Sequence, residues 1–260
     1  MKASYAHYTL HFRQPAGTSR GVLTDKETYF LKLEDEDMPG VFGLGECAVF
    51  RGLSADDVPA YEDKLRELCA NISADKETDL HEFPSIRFGL ETAINDFANG
   101  CRRQPFPSDF TEGMSAIPIN GLVWMGTKEE MLRRIDDKIK AGFTTIKLKV
   151  GAIDTESELD LVRHIRKVFP PEALTIRLDA NGGFTPDNAL QKLSDFARYG
   201  IHSIEQPIKQ GQWEAMRRIC SESPIDIALD EELIGIHTPE RMGEMLDAVR
   251  PKYIILKPSL

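Results

Sequence analysis

Three acidic residues, Asp179, Glu205 and Asp230, each stand toward the end of a short apolar run, in LTIRLDAN, HSIEQPI and IDIALDE, at intervals of 26 and 25 residues. Such an interval accommodates one strand and one helix. Three carboxylates brought together at that spacing cannot all stay ionised in a low-dielectric cleft without a counter-charge. A hard divalent cation meets the need: oxygen ligands from rigid strands, with positions left for water and substrate, suit Mg²⁺, with Mn²⁺ an alternative. The competing reading is that each acid pairs with an interior lysine or arginine. Lys147 and Lys149 in TTIKLKVG, and Lys257 in YIILKPS, are the cations that bear on this choice. A desolvated lysine is a competent general base, and lysines on opposite sides of a metal-bound carboxylate could work either face of an α-carbon. The bland reading of Lys147 and Lys149 is that they end a strand and extend into solvent.

The elements that must position these residues begin near residue 117. Apolar runs alternate with amphipathic stretches: IPINGLVW and KEEMLRRIDDKIKAG, TTIKLKV and ESELDLVRHIRKVF, LTIRLDAN and PDNALQKLSDFARYG, HSIEQPI and WEAMRRICSE, IDIALDE and PERMGEMLDAVR, then YIILKPS. The order predicts six strands and five helices in parallel βαβ units. Strand side chains alternate faces. Ile146, Leu148 and Val150 therefore oppose Lys147 and Lys149; Ile176 and Leu178 oppose Arg177, Asp179 and Asn181; Ile204 and Ile208 oppose Glu205. In the last two strands Ile225, Ile227 and Leu229 oppose Asp230, and Ile254 and Leu256 oppose Lys257. An open sheet covered on both faces would penalise a charge on every strand. A barrel gathers inward residues at the C-terminal ends of its strands, where barrel active sites lie. The near-equal intervals predict the three carboxylates at one height.

Residues 5 to 50 read as antiparallel strands (YTLHF, TYFLKL, VFGLGECAVF) broken by PAGTSRG and DEDMPG. Two helices follow: Ser54 with Asp57 suggests a capping box for a helix reaching about Asn71, and Ser85 a cap for RFGLETAINDFAN, which Gly100 ends. The expected division is an α+β capping domain over 1–112 and a partial (β/α) barrel over 113–260. GECAVFRG lacks a following phosphate-binding helix pattern, and His164 and His202 read as structural.

A net charge of −10 and 32 scattered Lys and Arg among 260 residues argue against nucleic-acid or anionic-membrane partners and for a small-molecule substrate. Cys47, Cys69, Cys101 and Cys220 show no metal or dithiol spacing and read as buried free thiols. The sequence has neither an apolar signal region at its start nor a run approaching the roughly 20 apolar residues of a span, so a cytoplasmic protein is expected. Oligomeric state is not legible.

KLK, LDAN, IEQP, ALDE and LKPS, in order at βα spacing after an α+β unit, resemble the muconate-lactonising subgroup of the enolase superfamily. RFGLETA, PAGTSRG, HSIEQPIKQGQ and PIDIALDEELIG are similar to the o-succinylbenzoate synthases of Bacteroidetes type. The resemblance implies a capping domain before a modified TIM barrel, and Mg²⁺ on Asp179, Glu205 and Asp230. It implies a lyase of menaquinone biosynthesis that dehydrates 2-succinyl-6-hydroxy-2,4-cyclohexadiene-1-carboxylate to o-succinylbenzoate. Lys149 would take the α-proton and return it to the leaving hydroxyl. Lys257 would stabilise the enediolate from the opposite face, partly by a cation–π contact with the ring. Lys147 would orient the substrate carboxylate or lower the pKa of Lys149. Arg177, Asn181, Ser259, Arg20, Phe50 and Arg51 would bind substrate or support the site, with loops at 16–20 and 48–54 closing over the mouth.

The sequence ends at Leu260, just past the sixth strand, where this family builds eight barrel units. About a quarter of the eight-strand arrangement is absent, so the expectation is a fragment of a longer enzyme that folds poorly alone. An N-succinylamino-acid racemase or dipeptide epimerase is the runner-up activity, since the same lysines permit proton exchange on either face. An inactive remnant is the third reading.

Overall fold

The computed structural model describes residues 1–18 and 21–260, which cluster into two compact units: Met1–Arg13 with Asp25–Ile117 and Lys257–Leu260, and Gln14–Thr24 with Pro118–Leu256.

In the first unit a three-stranded sheet runs in the order β1 (Lys2–Thr18), β2 (Gly21–Glu34), β3 (Phe42–Cys47). β2 and β3 are antiparallel, from Tyr29 opposite Cys47 to Glu34 opposite Phe42. DEDMPG makes the expected turn: Asp35 Oδ1 accepts from Asp37 N at 2.9 Å and Gly40 takes φ +87°. PAGT does not break β1, whose edge position tolerates Pro15. The tip of this hairpin clusters with the second unit, where Gly17 O accepts from Met125 N at 3.3 Å.

The helix starts differ from expectation. α1 (Tyr61–Ser73) begins well after Ser54, and α2 (Pro84–Ala98) begins with Pro84 as its first residue, leaving Ser85 inside the helix. The short polar side chains make tertiary bonds instead. Ser54 Oγ accepts from Phe50 N at 2.7 Å, Asp57 Oδ2 accepts from Gly52 N at 2.7 Å, and Ser85 Oγ donates to Asp56 Oδ2 at 2.6 Å. Gly100 does end α2: with φ +79° it lets Gly100 N reach Phe97 O and Cys101 N reach Asp96 O, a Schellman closure.

The second unit is a parallel sheet in strictly sequential order: β4 (Gly121–Val123), β5 (Thr145–Lys149), β6 (Thr175–Asp179), β7 (Ile201–Glu205), β8 (Asp226–Leu229) and β9 (Tyr253–Ile254). Between them lie α3 (Lys128–Lys140), α4 (Thr155–Arg166), α5 (Ala189–Ala197), α6 (Trp213–Glu222) and α7 (Pro239–Val249). The order never reverses, as it must in a doubly wound sheet, so the strands form an incomplete barrel of TIM type with β4 and β9 as its edges. One face is apolar: Ile146, Leu148, Ile176, Leu178, Ile204 and Leu229 are fully buried in one cluster with helix residues such as Ile135, Leu161 and Phe196. Each such side chain contributes about 1.5–3 kcal/mol by its burial.

Local signals set the helix starts here. Thr127 and Glu130 form a capping box on α3, Asp154 accepts from Ser157 N at 2.9 Å at α4, and Thr238 precedes Pro239 at α7. α5 starts three residues later than its pattern, because Thr185 and Asn188 bond to each other's backbone in a turn before it. A bulge in β7 passes over His202, with Ile176 opposite Ile201 but Arg177 opposite Ser203, which restores the parity that turns Glu205 inward. At β9 the expected burial fails: Ile254 is 39% and Leu256 69% exposed, since β9 is an edge that no helix among the described residues covers.

Candidate active site

Lys149, Asp179 and Glu205 are the last residues of β5, β6 and β7, and Asp230 follows β8 directly. Register aligns Lys149 with Asp179 and Asp179 with Glu205, but Glu205 faces Ala228, so Asp230 lies two residues beyond the expected height. The stagger between tilted barrel strands accounts for the step. One carboxylate oxygen each from Asp179, Glu205 and Asp230 nevertheless lies within 4.8 Å of the others, all three buried.

Both lysines enter this cluster. Lys149 Nζ donates to Asp179 Oδ2 at 2.6 Å and to Asn181 Oδ1 at 2.7 Å; Lys147 Nζ lies 2.8 Å from Glu205 Oε2 and 3.2 Å from Asp179 Oδ2. Lys149 is buried and the Lys147 side chain is only 18% exposed, so neither extends into solvent. Burial alone would lower the Lys147 pKa, but the charges of Asp179 and Glu205 outweigh it and hold it above the ordinary lysine value. Burial would likewise raise Asp179, yet the two ammonium groups hold it below the usual range; Glu205, pushed by burial and then by the Asp179 charge, stays above its own. Asp179 and Glu205 thus do pair with interior lysines, yet Glu205 stays raised even beside Lys147, the mark of an acid short of nearby positive charge. A buried all-oxygen set still wanting positive charge fits a hard divalent cation.

Over its whole length the chain is 42% identical, across an alignment of 294 positions, to o-succinylbenzoate synthase of Desulfotalea psychrophila, of which it spans 79%. The chain belongs to the o-succinylbenzoate synthase family of the enolase superfamily. Residues 130–253 match the family model described as enolase C-terminal domain-like. The crystal structure of MenC from Desulfotalea psychrophila shares the fold with a TM-score of 0.86 at 39% identity, covering 100% of this chain and 79% of that one. That of o-succinylbenzoate synthase from Thermosynechococcus elongatus, with Mg in its active site, gives 0.79 at 26% identity, covering 100% and 77%. The L-Ala-D/L-Glu epimerase of Bacillus subtilis is more distant, 30% identical over 84% of this chain and 62% of its own length.

Asn181, which strand parity groups with Asp179, does bond Lys149, whereas Gln206, Glu231 and Glu232 stand past the strand ends, where parity gives no signal. Asn181, at φ +45°, and Gln206, at φ +37°, stand just past Asp179 and Glu205. Asn181 Nδ2 donates to Glu231 Oε1 at 2.8 Å. Gln206 Nε2 donates to Glu232 Oε2 at 3.0 Å, while Gln206 Oε1 accepts from Asp230 N and Glu232 N, both at 3.2 Å. The segment after β8 is therefore tied to the two preceding strands. Trp124, directly after β4, sets its ring 5.9 Å from Lys149 Nζ; Val123 is in register with Leu148, so Trp124 shares the parity of Lys149 and was legible.

The remaining sequence-predicted residues are dispersed. Arg177 is half-buried on β6, its Nε enclosed without a hydrogen-bond partner. Phe50 and Arg51 lie in the turn after β3, where Arg51 is ion-paired with Glu27 at 2.9 Å and Asp57 at 2.8 Å. Lys257 is exposed and Ser259 half-buried, in the segment that clusters with the antiparallel unit. Arg20 lies outside the described residues, as does part of the 16–20 loop. All four cysteines are free, but only Cys47 is buried, its thiol pushed up to about 12 by burial. His164 bonds Asp136 at 2.9 Å, and His202 stacks on Tyr253. Among the described residues no helix is long and apolar enough to cross a membrane.

Proposed function

We propose that this chain carries the activity of o-succinylbenzoate synthase: loss of water from 2-succinyl-6-hydroxy-2,4-cyclohexadiene-1-carboxylate to give o-succinylbenzoate, in the cytoplasm, for menaquinone biosynthesis. The observation that carries the reading is the 42% identity to a synthase of that name along the whole chain. The Lys147, Lys149, Asp179, Glu205 and Asp230 cluster supplies groups suited to the chemistry.

Asp179, Glu205 and Asp230 would hold Mg²⁺, or Mn²⁺ with the same oxygen preference, which supplies positive charge against which the substrate carboxylate gains negative charge. Lys149, in its neutral form, takes the proton α to that carboxylate. The ammonium so formed gives the same proton to the hydroxyl on the neighbouring carbon, which leaves as water as the ring becomes aromatic; one lysine serves both transfers on one face. Lys147, bridging Asp179 and Glu205, keeps the acids spaced and adds charge near the carboxylate. Lys257, the lysine of LKPS, is assigned the stabilising cation on the family pattern. Asn181 and Arg177 complete the polar lining, and Arg20, Phe50, Arg51 and Ser259 are assigned to substrate contacts on the same pattern.

The test is turnover by the purified chain with Mg²⁺, followed by loss of the cyclohexadiene absorbance, beside racemisation of N-succinyl amino acids and epimerisation of L-Ala-L-Glu. Dehydration as the fastest reaction supports the proposal. Epimerisation without dehydration would replace it, and no reaction under any condition would favour the inactive remnant.

A further inference from the structure

We propose that Glu231 is a positioning residue for Lys149 and acts on it through the amide of Asn181. The inference rests on the assignment of Lys149 as the proton-transferring base.

The three side chains form a linear chain: Lys149 Nζ to Asn181 Oδ1 at 2.7 Å, then Asn181 Nδ2 to Glu231 Oε1 at 2.8 Å. An ammonium only donates and a carboxylate only accepts, so the charges at the two ends fix which way the amide points. With Glu231 in place, the oxygen of Asn181 faces the lysine. Two of the three donor directions of Lys149 are then occupied, by Asp179 and Asn181, and the third is fixed in space. That direction carries the lone pair when the amine is neutral. Without the Asn181 contact the amine would pivot on the single bond to Asp179.

The backbone supports a role for this contact. Asn181 sits at φ +45°, a left-handed conformation that costs most residues about 1 kcal/mol or more and that asparagine tolerates better. In that conformation Asn181 N also donates to Asp179 Oδ1 at 3.2 Å, so the residue is tied to the acid that holds the other side of the ammonium. Glu231 is 2% exposed, in the short 3₁₀ turn Glu231–Leu233 after β8. That turn is itself anchored by Gln206, so the carboxylate is delivered from a fixed backbone.

Proton transfer tolerates little displacement of the base: a misplacement of about 1 Å costs about 100-fold. The test compares Glu231→Met, similar in volume but without an acceptor, with Glu231→Gln, which retains one, in the wild-type and Asn181→Leu backgrounds. For Glu231→Met, kcat should fall about 10- to 100-fold with KM nearly constant, while Glu231→Gln retains most of kcat. In the Asn181→Leu background Glu231→Met should cost nothing further, and in the crystal structure of the Glu231→Met single variant Lys149 Nζ should have left the Asn181 oxygen. Unchanged kcat, fully additive losses, or an undisturbed Lys149–Asn181 contact would each overturn the proposal. Should Glu231→Met not fold, Asn181→Leu alone is held to the same kcat and KM criteria, and its crystal structure should show Lys149 Nζ displaced from its wild-type position, an unmoved Lys149 overturning the proposal. If the wild-type chain makes no o-succinylbenzoate, the functional reading fails, and positioning is judged on the Lys149 geometry in the variant crystals.

Discussion

Lys147 Nζ lies 2.8 Å from Glu205 Oε2, with Asp179 Oδ2 at 3.2 Å, so one ammonium bridges two members of the acidic cluster. It stands where a bound cation would also draw on those oxygens. At such range a unit charge is worth about 4 kcal/mol at an effective dielectric of 20, part of it offset by the lost hydrogen bonds. Lys147→Met should therefore bind Mg²⁺ more tightly, by about tenfold, while turnover falls. Calorimetric titration with Mg²⁺ checks the first half. Weaker binding would mean that Lys147 holds the carboxylates in place rather than competing with the ion.

Lys149 touches Asp179 and Asn181 but not Glu205 or Asp230 in the bonds described, so its loss should spare most of the ion's ligands. Lys149→Ala is expected to lower kcat by about 1,000-fold or more with Mg²⁺ affinity within about threefold of wild type. Parallel loss of both would make Lys149 a structural counter-charge and remove it from the proton-transfer assignment.

The grouping of the three acids was legible because two regularities coincide in this chain. Strand parity turns Asp179 and Glu205 to the face opposite Leu178 and Ile204, and the repeated βα interval places the strands side by side. Trp124 obeys the same parity. Asn181, one residue past β6, still followed that parity, but Glu231, Glu232 and the Gln206 amide stand past the strand ends, in a 3₁₀ turn and in left-handed backbone, where no periodicity operates. Ser54 and Ser85 misled for a related reason: a short hydroxyl that could cap a helix is equally able to bond Phe50 N or Asp56, and only tertiary packing decides.

β3 and α2 approach too closely for any side chain at their contact. A Cβ added at Gly45 would lie 1.8 Å from Gly89 O, and one added at Gly89 would lie 2.4 Å from Cys47 Sγ. The first obstacle is backbone, which cannot rotate aside. Gly45→Ala should destabilise the antiparallel unit by about 3 kcal/mol or more, read as a lowered midpoint in urea unfolding followed by circular dichroism. Gly52→Ala offers a contrast, since a Cβ there meets nothing within 4 Å and only its φ of +74° opposes the change. Equal losses in the two variants would show that the strand–helix approach is not the cause.

Glu158, on α4, is 1% exposed and uses one oxygen to accept from Gly151 N at 2.5 Å, holding the turn that follows β5; its other oxygen is buried without a partner. Burial raises its pKa above the usual glutamate value, against the opposing effect of the backbone donors. A raised folded-state pKa means that the folded chain binds this proton more tightly than the unfolded chain. The glutamate therefore adds nothing below its unfolded pKa, and stability falls as pH rises from there through the folded value. Glu158→Gln keeps a carbonyl oxygen for Gly151 N and cannot ionise. The difference in Tm between wild type and Glu158→Gln should shift in favour of the variant as pH rises from about 4 to 7, when both are followed by scanning calorimetry. A difference that is flat across that range, or that moves toward wild type, would show that the carboxylate is satisfied in its charged form.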